Sequence, residues 1–142
     1  MGQRILVPVD GSEQAECAVE FVTEQYPDAT VILFHVINPA EAGYSAEASV
    51  PTFSEEWYDQ EKARAERLFD ELEAAADATG TSVERVVEVG RPTTAIVDYA
   101  DEHDVDQIVM GSHGRSGVSR ILLGSVAETV VRRASVPVTV AR

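Results

Sequence analysis

From Met110 to Ser125 the chain reads Met-Gly-Ser-His-Gly-Arg-Ser-Gly-Val-Ser-Arg-Ile-Leu-Leu-Gly-Ser. These residue types, at this spacing, suit one kind of chemistry: gripping an anion. Gly111, Gly114, Gly117 and Gly124 are free to take φ > 0 and to bring backbone N–H groups close to a ligand with no Cβ in the way. An apolar run, Gln107 to Met110, leads into the stretch, and a helical pattern opening at Ser125 leads out of it. Ser125 and Glu128 have the spacing of an S-x-x-E capping box, which predicts a helix N-terminus at Ser125. The first N–H groups of that helix and the positive end of its dipole favour a phosphate. Arg115 and Arg120 lie inside the stretch, where they could pair with phosphate oxygens or stand as solvated loop charges. An ordinary strand-to-helix loop would hold the same glycines and serine, so the stretch alone leaves both readings open.

The elements around it alternate. Ile5 to Val9 is a short continuous apolar run, the pattern of a strand buried on both faces. Pro8 has no N–H for a ladder, which places it near the carboxyl end, where pairing can stop. A helix is predicted over 12–26, with Ala15, Ala18, Val19 and Val22 on one face and Cys17 on its inner side. Thr30 to Val36 reads as a second strand. Residues 38–53 form a long loop holding Pro39, Gly43 and Pro51. A helix over 54–78 follows, with an acidic first turn that suits its dipole; Trp57, Ala65, Leu68, Leu72 and Ala75 or Ala76 recur at helical spacing. Ser82 to Val89 is a third strand, and Gly90-Arg91-Pro92 turns into a short helix ending near His103, with Ile96, Val97 and Ala100 inward. Asp106 to Met110 is a fourth strand. A helix over 125–133 and a strand over 136–140 close the chain. Such alternation predicts a single-domain α/β fold over 1–142, a three-layer sandwich with a five-stranded parallel sheet and helices on both faces.

The joint pattern carries more than the loop does. Gly111-x2-Gly114-x9-Gly124-Ser125 resembles the nucleotide-binding signature of the universal stress protein family, in its ATP-binding branch. Ile5-Leu-Val-Pro-Val-Asp-Gly-Ser12 is similar to that family's first strand and turn, Phe34-His-Val36 to the end of its second strand, and Val136-Pro-Val-Thr-Val140 to its last strand. The resemblance implies a strand order of 3-2-1-4-5. With that order Asp10 and Gly111 end the two strands at which the winding reverses, where open α/β sheets take their ligands. It implies that ATP, with Mg²⁺ at Asp10, is held by Pro8, Val9, Asp10, Val36, Met110, Gly111, Gly114, Gly124, Ser125 and Val126; Arg115 joins these as a partner for phosphate oxygens, and His113 by its place between two motif glycines, a position the family leaves unconstrained. The Val36 backbone would meet the adenine. It also implies a homodimer formed through the strand at 136–140.

Charge and composition narrow the partners. Asp and Glu number 25 against 11 Lys and Arg, a net charge of −14, and Lys62 is the only lysine. A net negative field opposes a polyanion, so nucleic acid is excluded as a partner. Acid excess with lysine nearly absent points to a protein kept soluble in concentrated salt, as in a halophilic organism. No apolar run approaches the roughly 20 residues that span a bilayer. No basic region or cleavage site precedes the first strand, which predicts a cytoplasmic protein. Cys17 is the single cysteine, so no intramolecular disulfide forms.

Several catalytic patterns are missing. There is no G-x-x-x-x-G-K-[ST] loop, no G-x-G-x-x-G after the first strand and no zinc-ligand spacing among His35, His103, His113 and Cys17. His35 reads as a satisfied core histidine and His103 as a cation at a helix end. Ser125 has no evident base, so a nucleophilic role is not supported. The first expectation is therefore a regulatory, stress-response nucleotide-binding module. A slow ATP hydrolase and a nucleotide-free dimeric interaction module of the same family are its rivals.

Overall fold

The computed structural model describes residues 2–10, 13–40, 55–77, 80–111 and 124–141. Within them lie five strands and four helices: β1 Arg4–Pro8, α1 Glu13–Gln25, β2 Thr30–Ile37, α2 Glu55–Asp77, β3 Ser82–Val89, α3 Pro92–Glu102, β4 Gln107–Gly111, α4 Ser125–Arg133 and β5 Val138–Ala141. The strands form one sheet in the order β3-β2-β1-β4-β5, all neighbours parallel. The α/β class, the parallel sheet and the strand order are as expected. Pro39 and Ala40, expected in a loop over 38–53, are helical; residues 41–53 of that loop, and residues 112–123, lie outside the described residues.

Side-chain alternation along the strands builds two cores, because successive residues point to opposite faces. Ile5, Val7, Val31, Leu33 and Val109 pack with Ala15, Ala18, Val19 and Val22 of α1 and with Ala65, Phe69 and Leu72 of α2. Leu6, Ile32, Phe34, Ile108 and Met110 pack on the other face with Ile96, Val97 and Ala100 of α3 and with Ala127 and Val130 of α4. The central strands β1, β2 and β4 are thus buried on both sides, whereas the edge strand β3 alternates between exposed and half-buried residues.

The structure corrects the sequence reading in places. The last strand begins at Val138 rather than Val136; Pro137 brings no N–H to a ladder, although its carbonyl still accepts the Ile108 N–H at 2.9 Å. Phe69, fully buried, fills the position on α2 that spacing assigned to Leu68, which is only partly buried. Cys17 is half-buried on the flank of α1, not on its inner face.

One cation ties α2 to the sheet edge. The Arg85 guanidinium on β3 donates to Glu73 at 2.8 Å, Asp70 at 2.8 Å and Glu66 at 2.9 Å, which form a stripe down one side of α2. It also lies 5.8 Å from the centre of the Phe69 ring. The three carboxylates, Glu73 foremost, raise its pKa above the usual guanidinium value. No helix among the described residues is long and apolar enough to cross a membrane.

Candidate functional site

The crevice opens where β1 and β4 part. Their register covers only Ile5↔Gln107 and Leu6↔Ile108. Pro8, with no N–H to give, ends β1, and pairing of β1 with β2 runs out at Pro8↔Phe34. Beyond that point the carboxyl ends of β1, β2 and β4, the start of α4 and one side of α2 enclose a cleft of about 580 Å³. It lies at the reversal of strand order, between β1 and β4.

The residues foreseen from the sequence meet there. Pro8, Val9, Asp10, Val36, Met110, Gly111, Gly124, Ser125 and Val126 all line this cleft. His113, Gly114 and Arg115, with Arg120, lie outside the described residues. Asp10 is exposed at its mouth and Met110 is 5% exposed at its base.

Two glycines have different duties from those expected. Neither Gly111 nor Gly124 has a positive φ; among the described glycines only Gly80 and Gly90 do. Gly111 is required by close approach. A Cβ there would lie 2.5 Å from Gln14 Cβ and 2.8 Å from the Gln14 carbonyl carbon and oxygen, so a side chain would push α1 away from β4. Gly124 is the N-cap of α4, with φ −69° and ψ 166°, a conformation open to any residue.

The capping box does not form. Ser125 is the first helical residue rather than the cap, which shifts Glu128 one place beyond the box position. Glu128 instead takes Arg132 at 3.1 Å, a turn further on. The N-cap of α4 makes no side-chain hydrogen bond. The first turn of a helix leaves its N–H groups without intrahelical partners, and here the residues of that turn line the cleft together with Gly111 and Met110.

Other wall residues were not foreseen. Phe34, His35 and Ile37 come from β2, Glu61 and Arg64 from α2, Pro92 and Ile96 from α3. Glu61 and Arg64 pair at 3.1 Å, with Glu61 15% and Arg64 69% exposed. His35, expected in the core, is half-buried in the cleft wall, and its Nδ1 sits 2.9 Å from the Val9 carbonyl. The position of β2 in the sheet was a signal for these strand residues; nothing in the sequence says which side of α2 faces the crevice. His103, by contrast, is the C-cap of α3, stacked on Tyr99 with ring centres 3.9 Å apart. Among the described residues no group of three or more His, Cys, Asp or Glu could hold a metal ion.

A model of the universal stress protein family matches residues 1–142. The universal stress protein MJ0577 of Methanocaldococcus jannaschii is 33% identical, the alignment covering 100% of this chain and 96% of that protein. A solved structure of MJ0577 superposes with a TM-score of 0.83 at 34% identity, over 99% of this chain and 96% of that one. The universal stress protein of Archaeoglobus fulgidus, solved in complex with dAMP, gives 0.68 at 25% identity over 99% and 98% of the two chains. A further universal stress protein, solved in complex with cAMP, gives 0.66 at 26% identity over 99% and 97%.

Proposed function

The chain belongs to the universal stress protein family, and from that premise we propose that it is a regulatory module that binds an adenine nucleotide, ATP, in the cleft between β1 and β4. The observation that carries this reading is a convergence. A helix N-terminus with no side-chain cap and the carboxyl ends of β1, β2 and β4 face the same 580 Å³ of space. Relatives solved with dAMP and cAMP support the choice of an adenine nucleotide.

The residues fit such a ligand. The first N–H groups of α4 suit phosphate oxygens, and Gly124 at its N-cap carries no side chain to hold them off. Phe34, Val36, Ile37 and Ile96 give the cleft apolar walls for a base. Asp10 suits ribose hydroxyls or a Mg²⁺ shared with the phosphates. The charged side chains among the described wall residues are Asp10, Glu61 and Arg64, two acids to one base, a balance that a divalent cation would correct beside a triphosphate. His113, Gly114 and Arg115 lie outside the described residues and belong to the proposed site on the sequence reading alone: Gly114 by the resemblance, Arg115 as a partner for phosphate oxygens and His113 by its place between two motif glycines.

The proposal extends to a homodimer joined along β5, an edge strand whose Val138, Thr139 and Val140 are half-buried in the single chain; an uncovered edge invites pairing. The acidic, lysine-poor composition fits a cytoplasm of high salt.

The nucleotide reading is tested by thermal unfolding with and without ligand. ATP at about 100 times its Kd stabilises the native state by about 2.7 kcal/mol, a rise of about 5–10 °C for a chain of this size. AMP and cAMP measured alongside show whether the triphosphate adds affinity. Gly124→Val places a branched side chain at the cap where phosphate must approach. It removes the shift while changing the ligand-free stability by no more than about 1 kcal/mol. No shift of the wild-type protein with any of the three nucleotides would end the proposal.

A further inference from the structure

One peptide of β2 faces a neighbouring strand that has already ended. Along a parallel strand, alternate residues turn their N–H and C=O to one neighbour and the residues between them to the other. Thr30 N–H donates to Gln3 and the Phe34 carbonyl accepts from Val9, so even-numbered residues of β2 face β1. The Ile37 carbonyl accepts from Gly90, so odd-numbered residues face β3. Val36 therefore turns both its polar groups toward β1, at the level where β1 has ended. The next rung of the ladder would run from the Val36 N–H to the Val9 carbonyl, which is reached by neither β1–β2 pairing nor any other backbone bond among the described residues.

The His35 ring takes that place. Its Nδ1 lies 2.9 Å from the Val9 carbonyl oxygen. A carbonyl only accepts, so Nδ1 carries the proton and donates. With Val9 N–H bonded to the Phe34 carbonyl at 2.9 Å, both polar groups of Val9 are held by β2, one by its backbone and one by a side chain. Asp10 follows directly.

We infer that His35 is a positioning residue of the cleft: its Nδ1–H occupies the Val9 carbonyl in place of the Val36 N–H, and so leaves the Val36 N–H open to a ligand. The ligand edge that fits is a ring nitrogen that accepts the Val36 N–H beside an exocyclic amine that donates to the Val36 carbonyl. An aminopurine presents that pair. The role of the ring in choosing it rests on the nucleotide reading above; the displaced rung does not.

Two substitutions and one exchange measurement test it. Asparagine can set an N–H where the imidazole Nδ1 stands; leucine fills the volume with no donor. In His35→Leu the Val9 carbonyl recruits the Val36 N–H, and ATP affinity falls by about tenfold, the scale of one hydrogen bond. His35→Asn stays within about twofold of the wild type, well under that scale. Hydrogen exchange reads the rung itself. In the ligand-free wild type the Val36 amide exchanges at least about tenfold faster than Phe34, and nucleotide protects it. In ligand-free His35→Leu it is already protected. A Val36 amide protected in the free wild type overturns the inference, even if the leucine variant does not fold. So does equal weakening by leucine and asparagine. If the wild type binds no nucleotide, the functional reading falls, and exchange at Val36 still decides the role of His35.

Discussion

Replacing Gly111 with alanine puts one methyl group where the α1 backbone already stands. The added Cβ would lie 2.5 Å from Gln14 Cβ and 2.8 Å from two atoms of the Gln14 carbonyl group, against an unstrained carbon contact of about 3.5–4.0 Å. Relief requires α1 to retreat by about an ångström, yet Ala15, Ala18, Val19 and Val22 hold that helix in the core. Overpacking of this kind costs about 1–3 kcal/mol. The loss of glycine's unfolded-state freedom returns about 0.4–1 kcal/mol. The net is a destabilisation of about 1–2 kcal/mol, or about 3–8 °C in Tm at this length. Urea unfolding and differential scanning calorimetry on the ligand-free protein measure both quantities. Trimming Gln14 to alanine does not restore stability, because its Cβ and carbonyl remain. A Gly111→Ala protein that melts at or above the wild-type temperature would refute the close approach, leaving only the entropic gain.

Arg85→Met removes three charge-assisted bonds to α2, on a side chain 29% exposed. It lowers stability by about 1–2 kcal/mol at low salt, the sum of a few surface pairs. In about 1 M KCl, where the screening length falls to about 3 Å, most of that difference disappears; equal losses at both salt levels in urea unfolding would show that packing, not charge, is at stake. Sedimentation equilibrium should return twice the 15.4 kDa chain mass if β5 joins two copies, and the single mass would exclude that edge as an interface.

What the sequence revealed, and what it hid, divides by physical cause. Continuous apolar runs located β1, β2 and β4, because burial on two faces leaves an unambiguous pattern; helical spacing located the helices, and the edge strand β3 at Ser82–Val89 was placed to the residue although no side chain of it is fully buried. Pro8 could be set at the end of β1 from its missing N–H alone. Where one residue decides the outcome, the pattern was too coarse. Leu68 and Phe69 both lie on the inward arc of α2, and the packed core buries Phe69 fully and Leu68 only in part. Ser125 and Gly124 compete for the cap of α4, and the backbone assigned it to Gly124. The need for glycine at position 111 depends on how near α1 comes, which no local motif records. The same holds for Glu61 and Arg64, whose facing depends on how α2 is rotated over the sheet. The Val36 peptide was placed at the base by resemblance, but the reason it is turned outward lies in where β1 stops.

The single lysine has a practical consequence. Glu61 and Lys62 are adjacent on α2 and point about 100° apart, so Glu61 joins the wall of the cleft while Lys62 is exposed to solvent. Apart from the α-amine, an acylating dye therefore finds one reactive nitrogen in the chain. A fluorophore attached to it would ride on the rim without entering the crevice. In a protein that otherwise carries its positive charge on arginine, the reporter position is built in, and no cysteine has to be engineered to follow ligand entry.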